Sequence, residues 1–265
     1  MYGVGFGYGS AGATTILSGG GAAYDVDASA FFAASGVTDV AQKNAINTYI
    51  LDLKSNSLWS KFKEIHFYFL GDSTKNSYNV KNPSTFTNVF SSGWTFSSSG
   101  ATPNGTSAYC QSGLNISTVM SANSVSAGFY FGTAPTKASS ANGIFISGYN
   151  CLYRSSATSN FTYWNGGEIG LNTSSGADNN GFQQVSRHNT TQSLRKHKSN
   201  SVTTHTDTYT SLPNAVFHKG KANGLDQYED RRFTLTYVAD GLTSSELNTN
   251  YTITQALMTT LGINV

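Results

Sequence analysis

Carboxylates are the residues that could cleave a glycosidic bond by acid–base chemistry, and this chain has few of them. Its 265 residues include 14 Asp and Glu, and the glutamates are Glu64, Glu168, Glu229 and Glu246. A retaining glycosidase needs two carboxyl groups about 5 Å apart. None of the four has another Glu within reach on the same strand face, and Glu246 is better explained as a helix cap. We therefore predict no catalytic residue and a protein that is not an enzyme.

The densest acidic cluster is Asp226-x-x-Glu229-Asp230, and Arg231 and Arg232 follow it directly. Opposite charges so close in sequence indicate a surface ion-pair network. A Ca²⁺ site that uses Asp226 and Asp230 is the alternative, because Ca²⁺ binds several oxygen ligands. We favour the ion pairs and predict no metal and no cofactor.

A second potential metal site depends on a predicted hairpin. His197, His205 and Asp207 could meet if residues 193–198 and 202–207 pair as neighbouring strands. Zn²⁺ needs three or four N, S or O ligands. A hairpin with solvated side chains is the stronger interpretation.

Bulk properties exclude several functions. The net charge is +2 and the charged fraction 11%, so the composition suggests neither nucleic-acid binding nor membrane attraction. No signal peptide and no membrane-spanning stretch are recognisable. Cys110 and Cys151 lack metal-site spacing, and two buried thiols are favoured over a disulfide.

The only concentrated positive charge is Arg195-Lys-His-Lys198, with Arg187 and His188 one strand earlier. Such a run could contact an acidic polysaccharide or a negatively charged neighbour in a capsid. The favoured interpretation is an exposed, charged sheet edge that prevents aggregation.

Tyr163, Trp164 and Asn165 are the best candidates for contacts with a glycan. Sugars stack their apolar faces on aromatic rings, and Asn binds hydroxyl groups. The alternative is that Trp164 belongs to the core and that Asn165-Gly-Gly167 is only a hairpin turn. Since alternate strand positions must fill the space between two sheets, the core interpretation is favoured.

The N-terminal segment alternates glycine with larger side chains, and Tyr2, Val4, Phe6 and Tyr8 are the larger residues. Glycine in an extended strand costs conformational entropy that only contacts can offset. We predict that residues 1–21 anchor the chain by adding a strand to another protein's sheet. A flexible arm is the alternative.

The remaining chain divides into a helical introduction and a β region. Capping signals predict helices at Ala28 to Ser35, with Asp27 as the cap, and after Asp39-x-x-Gln42. Alternating segments with Asn and Gly turns follow from Tyr78 to Tyr237 and predict a two-sheet sandwich. A capping box at Thr243-Ser-Ser-Glu246 then opens an amphipathic C-terminal helix.

Several of these segments resemble parts of phage virion proteins. The resemblance covers roughly residues 25 to 265 and is carried by Gly36 to Lys54, Tyr78 to Pro83, Gly100 to Thr106, Asp240 to Leu247 and Gln255 to Gly262. It implies a concanavalin A-like, laminin-G-type jelly roll and a fibre, spike or capsid decoration. It also implies assembly in the host cytoplasm, and it transfers no catalytic residue.

Together these observations predict a mainly β fold in three parts. Residues 1–23 form the anchoring arm, 24–70 the helical introduction, and 71–265 the jelly-roll sandwich with its C-terminal helix. The predicted function is a non-enzymatic virion component that binds other capsid or tail proteins through residues 1–21. By analogy with other fibres it is a homotrimer, with host-surface polysaccharide as a further ligand. A free-standing lectin-like or polysaccharide-degrading module is the alternative.

Overall fold

The computed structural model describes residues 23–136, 180–206, 212, 214–221 and 228–265, and the backbone of strands at 142–146, 151–155, 160–164 and 167–168. The protein is mainly β, with antiparallel sheets and a few helices. The described helices are α1 Val26–Ser35, α2 Val40–Ser55, α3 Ser73–Ser77, α4 Ile116–Val119 and α5 Ser244–Thr260, with a 3₁₀ turn at Trp59–Lys61.

The largest described sheet has eight strands. Its order is β13-β12-β11-β6-β15-β4-β3, and β1 also pairs with β15. These strands are β1 Phe62–Phe67, β3 Trp94–Ser97, β4 Gly100–Pro103, β6 Val125–Phe131, β11 Gly181–Arg187, β12 Gln192–His197, β13 Thr203–Thr206 and β15 Phe233–Ala239. The last strand, β15, therefore lies in the middle of this sheet, and the predicted hairpin, β12 with β13, lies at one edge.

Two smaller sheets complete the described strands. One has the order β14-β5-β2 and the other β10-β9-β8-β7, with β7 beside β14. Their strands are β2 Val89–Phe90, β5 Cys110–Asn115, β7 Asn142–Ile146, β8 Cys151–Ser155, β9 Asn160–Trp164, β10 Gly167–Glu168 and β14 Val216–Lys219.

The central strands of the eight-stranded sheet, β6, β11 and β15, are buried on both faces. Leu235 and Tyr237 pack with α2 and α5, whereas Val238 packs on the opposite face among a second set of buried side chains. In the sequence, Phe233, Leu235 and Tyr237 alternate with Thr234 and Thr236, a pattern that predicts a half-buried strand with these three side chains on one face. Phe233 lies on the opposite face from Leu235 and Tyr237 instead, because the register of β15 against β6 shifts between Phe233 and Leu235. All seven residues of β15 are buried, so the strand is covered on both faces.

The helix caps confirm most of the sequence signals. Thr243 and Glu246 form both hydrogen bonds of the predicted capping box at the start of α5. The Asp39 carboxylate caps α2 by accepting from the Gln42 amide. Asp25, not Asp27, caps α1, since its side chain accepts the Asp27 amide hydrogen. None of the described helices combines the length and apolar character needed to cross a membrane.

Candidate functional site

The outer face of the β14-β5-β2 sheet carries a row of polar and aromatic side chains. The register places His218 of β14 beside Gln111 of β5, and Gln111 beside Val89 of β2. The His218 ring stacks on Tyr109, with centroids 5.5 Å apart and an interplanar angle of 26°. Its Nε2 lies 2.9 Å from Gln111 Oε1. Burial, with the charges of Lys221 and Lys219, lowers the pKa of His218, which favours the neutral ring at pH 7.

A lysine lies between two tyrosines at the end of this row. Lys221 Nζ is 5.3 Å from the ring centroid of Tyr109 and 5.4 Å from that of Tyr228. A backbone bridge between Lys221 and Tyr228 holds the second tyrosine in place. We call Tyr109, Gln111, His218, Lys221 and Tyr228 the tyrosine platform. All five residues are partly exposed.

Beneath the platform, the same strands turn ionisable side chains inwards. Because residues alternate along β14, Lys219 points to the interior where His218 points out. Lys219 Nζ lies 2.9 Å from Glu64 Oε1, 2.8 Å from Asn88 Oδ1 and 3.2 Å from His66 Nδ1. The Ser112 hydroxyl donates to the other carboxylate oxygen of Glu64 over 2.6 Å. We call these five residues the buried lysine cluster.

Hydrogen bonding defines the state of His66 in this cluster. Its Nε2 lies 2.9 Å from the Phe86 carbonyl oxygen, which can only accept, so Nε2 carries the proton. The Nδ1 lone pair then faces the Lys219 ammonium. Burial, with the Lys219 charge, holds the pKa of His66 well below its usual range. His66 is therefore a neutral acceptor at physiological pH.

Two further groups border the cluster and do not ionise. The Tyr68 hydroxyl lies 3.2 Å from Thr236 Oγ1 and 3.8 Å from Cys110 Sγ. Burial raises the pKa of Cys110 to about 12 and that of Tyr68 well above its usual range. Cys110 is thus a buried free thiol, as predicted, whereas the side chain of Cys151 lies outside the described residues.

The acidic segment at 229–232 differs from the prediction. Glu229 and Arg231 do pair, but both side chains are fully buried and form no surface network. One carboxylate oxygen of Asp230, Oδ2, accepts from both the amide and the hydroxyl of Thr136. Asp226 lies outside the described residues. Across the described part of the chain, no three His, Cys, Asp or Glu side chains are grouped to hold a metal.

The hairpin around residue 200 forms as predicted but separates its histidines. His205 faces Ser193 across the β12–β13 ladder, whereas His197 lies four residues further along β12. At about 3.3 Å per residue the two imidazoles are too far apart for one ion. Asp207 lies outside the described residues.

The basic run is not an exposed edge, because β13 pairs with β12 and covers it. Arg187, Arg195, Lys196 and His197 are all less than 9% exposed. The Arg187 guanidinium donates to the Thr190 carbonyl, and Lys196 Nζ to that of Asn200. Burial lowers the pKa of both Arg187 and Lys196.

The predicted glycan contacts and the predicted anchoring residues lie outside the described side chains. Tyr163 and Trp164 lie in β9, of which the backbone alone is described, and Asn165 lies outside the described residues. Tyr2, Val4, Phe6 and Tyr8 also lie outside them. Conversely, sequence reasoning missed the tyrosine platform, since Tyr109 and Tyr228 are far apart in the chain and belong to no local motif.

No protein-family model matches this chain, and no curated protein matches it either. Among solved structures it is similar to domain 4 of AbnA, a GH43 extracellular arabinanase from Geobacillus stearothermophilus, in complex with arabinotriose. The identity is 14%, with 72% of this chain and 98% of the other covered and a TM-score of 0.40. A Trypanosoma rangeli sialidase is 10% identical over 81% of this chain and 39% of its own, with a TM-score of 0.47.

An arabinofuranosidase is 9% identical over 57% of this chain and 40% of its own, with a TM-score of 0.38. This chain therefore spans about two fifths of the sialidase and arabinofuranosidase chains. The TM-scores all lie below 0.5, so the function proposed below rests on this chain's own residues.

The comparison corrects one prediction. We expected a protein that is not an enzyme, and these neighbours are named as an arabinanase, a sialidase and an arabinofuranosidase. That prediction is contradicted and is withdrawn. None of the three is described as a virion protein.

Proposed function

We propose that this chain is a carbohydrate-binding protein with a concanavalin A-like, laminin-G-type jelly roll and that the tyrosine platform binds the glycan. The observation that carries the proposal is the arrangement of the partly exposed Tyr109 and Tyr228 around Lys221. Two partly exposed rings can stack against the apolar faces of sugar units, as aromatic side chains do in many binding sites.

The polar groups of the platform suit the rest of a sugar. The Lys221 ammonium donates to hydroxyl or carboxylate oxygens, and Gln111 supplies both an amide donor and an acceptor. His218 is hydrogen-bonded to Gln111 and stacked on Tyr109, which fixes both partners before a ligand arrives. Such preorganisation reduces the entropy lost on binding.

Tyr163 and Trp164 remain a second proposed contact region. Their strand, β9, belongs to the sheet whose β7 lies beside β14. Asn165 follows directly. A long glycan could then contact both the tyrosine platform and this second region. Mutating one region at a time would show how much each contributes to binding.

The experiment is a glycan array, followed by calorimetric titration of each hit. Tyr109→Ala and Tyr228→Ala are each expected to weaken binding about tenfold, the loss of one aromatic contact of about 1.4 kcal/mol. Tyr24→Ala is the matched control, because Tyr24 also lies beneath a lysine, Lys43, with Nζ 5.7 Å from the ring centroid. A blank array, or equal losses in all three variants, would contradict the proposal.

The sequence resemblance supports a second proposal, that the protein is a virion component. Residues 1–21, with Tyr2, Val4, Phe6 and Tyr8, would anchor it to capsid or tail proteins, and a homotrimer would give avidity to weak glycan sites. The test is deletion of residues 1–21. A folded protein that no longer joins particles is expected, and normal incorporation would refute the anchor.

A further inference from the structure

The buried lysine cluster brings together an amine, a carboxamide and a carboxylate in one water-excluded space. Lys219 Nζ lies 2.8 Å from Asn88 Oδ1 and 2.9 Å from Glu64 Oε1. Lys219 and Glu64 are 0% exposed and Asn88 is 3% exposed. The three residues come from different parts of the chain: β14, the residue before β2, and β1. Nothing in glycan binding requires this arrangement.

We propose that Lys219 and Asn88 join in an intramolecular amide bond, an isopeptide cross-link, formed by the folded chain itself. Nζ of Lys219 attacks Cγ of Asn88, the new Nζ–Cγ bond replaces the Cγ–Nδ2 bond, and ammonia leaves. Of the three protons on the ammonium, one stays on the new amide. One moves to Glu64, and one departs with the Asn88 nitrogen as NH₃. Atoms and charges balance without an oxidant, metal or other reactant.

The contacts assign a role to each neighbour. Glu64 Oε1 lies 2.9 Å from Nζ and accepts no aligned hydrogen bond, so it is free to take the proton that activates the amine. Ser112 holds the other carboxylate oxygen at 2.6 Å and so fixes the carboxylate. Asn88 Nδ2, the leaving nitrogen, lies 3.4 Å from the Tyr68 hydroxyl. His66 positions Nζ from the side, at 3.2 Å.

The geometry and the medium both favour reaction. The hydrogen bond from Lys219 Nζ to Asn88 Oδ1 places Nζ within about 3–4 Å of Asn88 Cγ, which is close to the distance needed for attack. Because the fold already holds the two reacting groups together, much of the entropic part of the activation barrier is removed. Before reaction two ions are buried, which is costly. Afterwards the site holds a neutral amide and a neutral carboxylic acid, so the reaction removes that cost.

A second lysine–asparagine contact in the same chain provides an internal control. Lys198 Nζ lies 2.7 Å from Asn180 Oδ1, as close as the proposed pair, but both residues are only half-buried. That site therefore lacks the water-excluded surroundings of the buried lysine cluster. We expect no amide bond at Lys198.

The experiment is mass spectrometry of the full-length chain under denaturing conditions. The expected mass is one ammonia below that of the amino-acid sequence. Trypsin should then release a branched peptide in which residues 82–137 are joined to residues 199–221, uncleaved after Lys219. Recovery of linear peptides only, with free Lys219 after prolonged incubation of folded protein, would overturn the proposal. This outcome is read from the unmutated chain, so no variant has to fold.

Variants identify the reacting atoms. Lys219→Arg should abolish the link, and so should Glu64→Gln if it folds by circular dichroism. Asn88→Asp should still link but lose water instead of ammonia. Asn180→Ala is the matched control and should keep the branched peptide at the wild-type level. A link that survives in Lys219→Arg would show that another residue reacts and would refute the assignment.

Discussion

Two carboxylate–cation pairs of this protein are equally inaccessible but are built in opposite ways. The side chains of Glu64–Lys219 and of Glu229–Arg231 are all 0% exposed. The first pair joins β1 to β14 across the interior, whereas the second joins residues only two positions apart. A buried pair is stabilising only if further hydrogen bonds satisfy both ions, and the two pairs differ in how far they meet this condition.

In the arginine pair, neighbouring residues of the same segment supply the hydrogen bonds to Glu229. The Arg231 guanidinium donates from both Nε and Nη2 to the two oxygens of Glu229, which also accepts the amide hydrogens of Asp230 and Arg231. The guanidinium carbon lies 3.5 Å from the centroid of the Phe131 ring. The Arg231 guanidinium is held by two hydrogen bonds to one carboxylate and is stacked on an aromatic ring, so it offers no nucleophile.

The lysine pair depends on distant residues. Its ammonium has two further partners, an amide oxygen of Asn88 just before β2 and an imidazole nitrogen of His66 in the same strand as Glu64. The comparison teaches that equal burial does not mean equal function. The local pair shapes one loop, and the long-range pair fastens two sheets and places a reactive amine beside an amide.

The largest expected effect comes from Lys219→Met, which removes the proposed amide bond and leaves Glu64 buried without a cation. In a chain that has not formed the bond, breaking the buried pair costs about 3–5 kcal/mol. Urea unfolding of the purified variant measures the loss. The double variant Glu64→Gln/Lys219→Met should recover part of it, because no charge is then left unpaired. A double variant that is less stable than Lys219→Met would refute this explanation.

Arg231→Lys tests the local pair while keeping its positive charge. An ammonium cannot reproduce the fork or the stacking on Phe131, so we expect a loss of about 2 kcal/mol, the value of one charged hydrogen bond. Arg232→Lys is the control, since Arg232 donates to the Gly132 carbonyl from a partly exposed site. If both variants lose the same stability, the bidentate geometry has no special value.

Acidification should distinguish the two pairs, because only the lysine pair has a histidine, His66, in contact with its cation. Burial is the larger cause and the Lys219 charge the smaller in holding the pKa of His66 below its usual range. Protons therefore bind the unfolded chain more readily, and this contribution to stability is complete above about pH 6.5. It falls by about 1.4 kcal/mol per pH unit below that value until the pKa of the folded state is reached.

Unfolding free energies measured from pH 7.5 to 5 check this expectation. His66→Gln, whose amide can still donate to Phe86, should flatten most of the slope. His218→Gln should change it less, because His218 is half-buried. A wild-type curve that is flat over this range would show that His66 binds a proton equally in both states.

Local signals predicted the local structure well. Thr243 with Glu246, and Asp39 with the Gln42 amide, act within one helical turn, so their spacing alone identifies the caps. The cap of α1 is Asp25 and not the predicted Asp27. Both residues are suitable helix caps, and both form ion pairs with Lys54 that exist only in the folded chain.

Long-range features could not be read from the sequence. The basic run at 195–198 predicts an exposed edge, and only the pairing of β13 shows that it is covered. Asn88 and Lys219 belong to no motif, and Tyr109 meets Lys221 only after β5 and β14 have paired. The candidate sites therefore depend on sheet order, which a single sequence does not specify.

The smallest expected effect belongs to a third ion pair, at the start of α5, and it completes the comparison. Lys61 and Glu246 pair across the protein surface, with side chains 30% and 26% exposed. Lys61→Met should cost less than about 1 kcal/mol in urea unfolding, since solvent already screens such a pair. Thr243→Ala removes the helix cap beside it and should cost about 1 kcal/mol. If Lys61→Met instead cost as much as Lys219→Met, burial would not be what separates these pairs.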